Sequence, residues 1–124
     1  MKTRIVVITL FLLMIAGAVV GENKRVKADL VGDSGVTGSV EVVQMLKGGS
    51  NLIVRVRGLK TGTEYAAYYA KTSDCAPSSP LLGKFVADGN GEGGIEGKVD
   101  LDLDQVGSIG VRHNDALLAC AKVH

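Results

Sequence analysis

Few side chains in this 124-residue sequence could carry chemistry, and they are widely spaced. There are two cysteines, Cys75 and Cys120, and two histidines, of which only His113 lies away from the C-terminus. Ser108, His113 and Asp115 have the residue types of a hydrolytic triad. However, Ser108 and His113 are five residues apart on one predicted strand, so their side chains point to opposite faces. We therefore predict no catalytic residues.

Residues 1–21 are typical of a secretory signal peptide. Lys2 and Arg4 form a short positive segment, and residues 5–20 after it contain a single polar side chain. A membrane-spanning helix needs about 20 apolar residues, whereas a signal peptide needs fewer. We therefore expect a secreted protein, extracellular or periplasmic, with no membrane attachment after signal removal. An uncleaved signal anchor is the alternative.

Two signal-peptide cleavage sites fit the sequence, one after Ala18 and one after Gly21. Cleavage after Gly21 leaves residues 22–124 as a single domain.

Export to an oxidising compartment favours a disulfide between the two cysteines. Cys75 and Cys120 are the only cysteines of this domain, and an even number in an oxidising compartment predicts a disulfide. This bond would close a loop of 45 residues and contribute roughly 4 kcal/mol. Metal-binding thiols are usually spaced more closely than this.

The charge of the chain argues against a nucleic-acid partner. Once Lys2 and Arg4 are removed with the leader, 12 basic residues face 13 acidic ones, with no basic cluster. Recognition of a phosphate backbone depends on concentrated positive charge. We therefore expect an unidentified protein or surface as the partner.

Apolar and polar residues alternate along most of the remaining chain, which predicts short antiparallel strands. The predicted strands cover residues 26–30, 37–42, 52–57, 64–71, 82–87, 95–103, 108–113 and 117–123. Their number and spacing are typical of an all-β, immunoglobulin-like Greek-key sandwich or barrel. Asp100, Asp102 and Asp104 would line one face of the sixth strand as a solvated acidic edge.

Three segments carry a resemblance to a known family. They read Gly-Leu-Lys-Thr-Gly-Thr-Glu-Tyr at 58–65, Leu-Gly-Lys-Phe-Val-Ala-Asp-Gly-Asn-Gly at 82–91, and Leu-Ala-Cys-Ala at 118–121. In this order they resemble the copper/zinc superoxide dismutases over nearly all of the mature chain. The resemblance implies that family's β-sandwich, places Cys75 and Cys120 at its internal disulfide, and makes a dimer possible.

The same resemblance places no histidine at four of the family's metal-ligand positions. The two copper histidines that follow the Gly-Leu turn correspond to Ala67 and Tyr69. One zinc histidine and the zinc aspartate correspond to Ser78 and Leu81. The segment before Leu81 is too short to supply the other zinc-loop histidines. Alanine has no ligand atom, and a tyrosine oxygen is a poor substitute for imidazole on copper.

Two further positions concern activity. Leu117 stands where the family has the arginine that guides superoxide, while His113 falls at the final copper histidine. A single imidazole does not hold copper, because transition-metal sites use three or four donors. His113 is therefore the residual metal candidate, and we expect no cofactor. The structural interpretation of His113 is a polar residue that begins a tight turn.

Two pairs of residues form a candidate binding face. Arg55 and Arg57 lie on the polar side of their predicted strand, and Tyr65 and Tyr69 share one side of the next strand. The alternatives are a solvated surface for the arginines and a core-filling role for Ala67 and Tyr69.

Two functional hypotheses follow from these observations. The first is a secreted, metal-free, non-catalytic dismutase-like domain that acts as a structural or binding module. The second is a divergent copper-binding member of the same family, with weak or partner-dependent metal binding through His113. The small number of ligands favours the first hypothesis.

Overall fold

The computed structural model describes residues 24–124, so the predicted signal peptide lies outside the described residues. The described part is an all-β sandwich of eight antiparallel strands in two four-stranded sheets, as the alternation predicts. The strands are β1 Arg25–Leu30, β2 Thr37–Gln44, β3 Ser50–Arg57, β4 Glu64–Ala70, β5 Leu81–Val86, β6 Gly93–Val99, β7 Ser108–His113 and β8 Ala116–Lys122. Between residues 24 and 124 no helix is long and apolar enough to cross a bilayer.

The strand order is β1-β2-β3-β6 in the first sheet, sheet A, and β5-β4-β7-β8 in the second, sheet B. After β3 the chain forms the β4–β5 hairpin in sheet B and then returns to place β6 beside β3, which is a Greek-key connection. Val31 and Cys120 exchange two backbone hydrogen bonds, of 3.1 and 2.9 Å, and so join the β1 and β8 edges. This bridge protects one pair of sheet edges.

The core lies between the sheets and consists mainly of valine and alanine. Every second residue of β3 points inward, so Leu52, Val54 and Val56 are almost completely buried. From sheet B, Tyr65 and Phe85 supply the two buried aromatic rings, which stack with centroids 6.1 Å apart. The interior is therefore filled mainly by small and β-branched residues, together with one stacked aromatic pair.

Glycines allow the β5 and β6 edges to approach each other closely. A Cβ added at Gly97 would lie 2.9 Å from Leu82 Cδ1, and one added at Gly83 would overlap Ile95 Cδ1. Each large side chain therefore fills the space opposite a glycine on the other sheet. This arrangement closes the second pair of edges.

The sixth strand is shorter than the sequence predicts. It ends at Val99, and a 3₁₀ turn at Leu103–Gln105 follows, so the three aspartates do not form a row on a strand. The reason is local hydrogen bonding. The Asp102 carboxylate accepts hydrogen bonds from the Gly49 N–H at 2.8 Å and the Gln44 side chain at 3.1 Å. Asp102 therefore ties the turn to the β2–β3 hairpin instead of forming an acidic edge.

Candidate functional site

The disulfide between Cys75 and Cys120 is present, and it fastens the loop before β5 onto the outer face of sheet B. The Cys75 N–H donates to the buried Ser108 hydroxyl at 3.0 Å, and the Cys75 carbonyl accepts from Arg112 at 2.9 Å. These contacts hold Cys75 in a left-handed backbone conformation, with φ of 52°. The loop is therefore a fixed structural part of the sandwich.

The four positions that the resemblance aligns with metal ligands differ widely in burial. Ala67 is completely buried between the sheets, and Tyr69 is half-buried against the same core. Ser78 is exposed in the disulfide loop, whereas Leu81 is 47% exposed at the start of β5. Ala67 therefore fills the core, and Tyr69 fills it only in part, because its side chain remains partly exposed.

His113 lies at the end of β7, where its ring is half-exposed. It packs on Tyr65 with ring centroids 5.4 Å apart, and its Nδ1 is 3.1 Å from the Glu64 carbonyl oxygen. Its Nε2 faces the side chain of Asn114, which begins the turn to β8 with φ of 54°. Among residues 24–124 no three His, Cys, Asp or Glu side chains are grouped closely enough to hold a metal ion.

Tyr65 does not belong to a binding surface. Its side chain is 6% exposed, and its hydroxyl accepts a hydrogen bond from the Lys60 N–H at 2.9 Å. Arg55 and Arg57 point out of sheet A, because their neighbours on β3 fill the core. The arginines and Tyr65 are therefore on different sides of the molecule, and the predicted four-residue face does not exist as one surface.

The outer face of sheet A instead contains an open groove of about 620 Å³, which we name the sheet A groove. Arg55 stands in its middle, paired in register with Ser39 on one side and Gly94 on the other. Because both neighbours are small, the backbone forms the floor beside the guanidinium group. The lining also includes Gly38, Ile53, Arg57, Asp88, Glu92, Gly93, Ile95 and Glu96.

Steric constraints keep the floor of this groove open. A Cβ at Gly94 would overlap the Val54 carbonyl oxygen, and one at Gly38 would overlap the Arg55 carbonyl oxygen. Neither position can take a side chain without a shift of the backbone. The bare floor is therefore a consequence of how β2, β3 and β6 pack.

Opposite charges line the two sides of the groove. Arg55 and Arg57 project from β3, and in the described part of the chain neither makes an ion pair. Glu92 and Glu96 lie on the β6 side, with Glu96 accepting a hydrogen bond from Asn51 at 2.9 Å. Asp88 is occupied within its own turn, where it accepts from two backbone N–H groups. The arginines are thus the available donors of the groove.

Sequence reasoning identifies the two arginines but misses the groove around them. The glycine-rich segment before β6 is visible in the sequence as a turn signal. Only the pairing of β6 with β3 places Gly94 beside Arg55. No known protein family and no curated protein matches this chain in sequence.

Proposed function

We propose that this chain is an exported, non-catalytic dismutase-like module that binds a carboxylate-bearing partner in the sheet A groove. The observation that supports the proposal is the pair of exposed guanidinium groups, Arg55 and Arg57, which form no ion pair with residues 24–124 and stand above a floor of small residues. The disulfide is consistent with an oxidising compartment. The buried Ala67 argues against a metal at the family's copper position.

The chemistry of the groove favours carboxylates. A guanidinium group presents a planar fork of N–H donors that matches a carboxylate bidentately. Arg55 and Arg57 lie two residues apart on one strand, so they reach the same side of an extended partner. Exposed ion pairs contribute only about 0.2–1 kcal/mol each. We therefore expect a weak, salt-sensitive interaction with a short peptide.

The test is an NMR titration of the oxidised mature protein with a capped tetraglutamate peptide. The amide signals of Ser39, Arg55 and Gly94 should shift together with increasing peptide. The double variant Arg55→Gln/Arg57→Gln should lose the response. The matched control, Lys27→Gln/Lys98→Gln, removes two exposed cations from the same face outside the groove and should keep it. If the arginine variant and the lysine variant lose the response to the peptide equally, the groove is not the binding site.

Copper binding through His113 is the alternative proposal. The imidazole of His113 is partly exposed, but it supplies only one donor of the three or four that transition-metal sites use. A partner would have to supply the others. Elemental analysis of the purified, oxidised protein distinguishes the proposals, because stoichiometric copper that is lost in His113→Ala would favour the alternative.

A further inference from the structure

We propose that the ligand of the sheet A groove is an extended peptide of mixed charge, in which a basic residue lies two positions from an acidic one. The inference rests on the proposed function, because it specifies the carboxylate-bearing partner. Its basis is the charge of the groove itself. The two arginines share the groove with three acidic residues, Asp88, Glu92 and Glu96. A ligand that carries carboxylates alone would bring negative charge beside these acidic side chains.

Glu96 is available to a cation of the ligand. It accepts a hydrogen bond from the neutral side chain of Asn51 at 2.9 Å, and among residues 24–124 it makes no ion pair. Glu41 lies on the same outer face of sheet A, but it is paired with Arg25 at 2.7 Å. Asp88 is occupied by the backbone N–H groups of its own turn. The charge of Glu96 is therefore left for a ligand to neutralise.

The register of sheet A sets the spacing between the two kinds of charge. Arg55 pairs with Gly94 on β6, and Glu96 lies two residues further along that strand. Residues two apart on a strand point to the same face and lie about 6.6 Å apart along it. An extended peptide has the same repeat, so its side chains at positions i and i+2 can reach Arg55 and Glu96 together. Ile53, which pairs with Glu96, is partly buried on this face and offers apolar area to the methylene groups of a lysine.

Arg57 extends the pattern by one more position. It lies two residues beyond Arg55 on β3 and points to the same face. A peptide of sequence Glu-Gly-Glu-Gly-Lys therefore places one carboxylate near each arginine and its ammonium group near Glu96. The low floor at Ser39 and Gly94 admits the peptide backbone without displacing a large side chain.

The test is an NMR titration of the oxidised mature protein at low salt with three capped peptides. The first is Glu-Gly-Glu-Gly-Lys. The second, Glu-Gly-Glu-Lys-Gly, has the same composition, but its lysine points to the opposite side of the extended chain. The third, Glu-Gly-Glu-Gly-Gln, lacks the cation. The first peptide should bind about two- to fivefold more tightly than the other two, because an exposed ion pair contributes an effect of this size.

A variant of the protein assigns this preference to one side chain. Glu96→Gln keeps an oxygen that can accept the hydrogen bond from Asn51 but removes the charge. It should bind the lysine and glutamine peptides equally, which completes a double-mutant cycle for the pair of Glu96 and the peptide lysine. The matched control, Glu41→Gln, removes a carboxylate from the same face outside the groove and should keep the preference. Circular dichroism melts show that each variant is folded, and the comparison of peptides on the wild type does not depend on any variant.

Two outcomes would overturn the inference: equal binding of the three peptides by the wild type, or a lysine preference that survives Glu96→Gln. If the wild type binds the three peptides equally and Arg55→Gln/Arg57→Gln binds none of them, the proposed function stands with a purely anionic ligand. If the wild type binds neither these peptides nor tetraglutamate, both proposals are rejected.

Discussion

Tyr65 links the interior of the sandwich to the loop that precedes β4. Its ring stacks on Phe85 in the core, while its hydroxyl accepts a hydrogen bond from a backbone N–H five residues upstream. Such a tyrosine contact to upstream backbone is a known feature of Greek-key sandwiches. The residue that sequence analysis places on a binding face is therefore an anchor of the fold.

Two tyrosine substitutions should have unequal effects on stability. Tyr65→Ala removes a buried ring, and we expect it to lower the free energy of unfolding by about 3–5 kcal/mol. Tyr69→Ala should cost less, because Tyr69 is only half-buried. Tyr65→Phe keeps the ring and loses one hydrogen bond, for about 1 kcal/mol. Urea unfolding measures the free energy of unfolding of all three variants. A larger decrease for Tyr69→Ala than for Tyr65→Ala would contradict the burial of Tyr65 in the core.

Asp102 should make stability depend on acid pH. Hydrogen bonds from Gly49 and Gln44 lower the pKa of its carboxyl below the ordinary value of 3.8. The ionised form therefore stabilises the fold above the unfolded-state pKa, and this contribution is lost as the pH falls through the folded-state pKa. Asp102→Asn should melt at a lower temperature than the wild type at neutral pH, with a smaller difference below about pH 4.

Thermal melts between about pH 7 and about pH 2.5 test this prediction. Asp104→Asn, an exposed carboxylate on the same turn, serves as the control and should follow the wild type. A deficit for Asp102→Asn that stays constant over the whole range would show that the charge of the carboxylate is not the cause.

At the scale of the elements, the pairing of β3 with β6 determines the shape of the outer face. Gly94 lies at the surface, yet a side chain there would overlap the Val54 carbonyl oxygen. Gly94→Ala should therefore cost about 1–3 kcal/mol, as overpacking in a core does. Gly89→Ala, at an exposed turn with open space around it, should stay within about 0.5 kcal/mol. Equal unfolding midpoints would contradict the close approach of these strands.

At the scale of the whole molecule, the disulfide joins the loop before β5 to strand β8. Cys75→Ser/Cys120→Ser should lower the free energy of unfolding by roughly 4 kcal/mol, since the bond closes a loop of 45 residues. The loop should also become the first site of proteolysis, because it loses its attachment to sheet B. Limited proteolysis and thermal melts measure both effects. Two reactive thiols in the native exported protein would contradict the prediction.

The sequence by itself determined the strands and the disulfide. Alternation of apolar and polar residues is a local property, so seven of the strands fall close to their predicted bounds. The cysteines are the only two in the chain, which leaves one possible intramolecular pairing. The predicted end of β6 was wrong, because residues 100–104 keep the alternating pattern of a strand while the chain there leaves the sheet. Asp102 ends the strand through contacts with Gln44 and Gly49, which are distant in sequence.

Only the tertiary structure decided which residues share a surface. Alternation shows that Arg55 and Tyr65 each lie on one side of a strand, but not that these sides face opposite ways in the folded sandwich. The groove depends on Ser39, Arg55 and Gly94 meeting in register across three strands. Register between strands far apart in the chain is fixed by the packing of the whole core, so no local pattern in the sequence contains it.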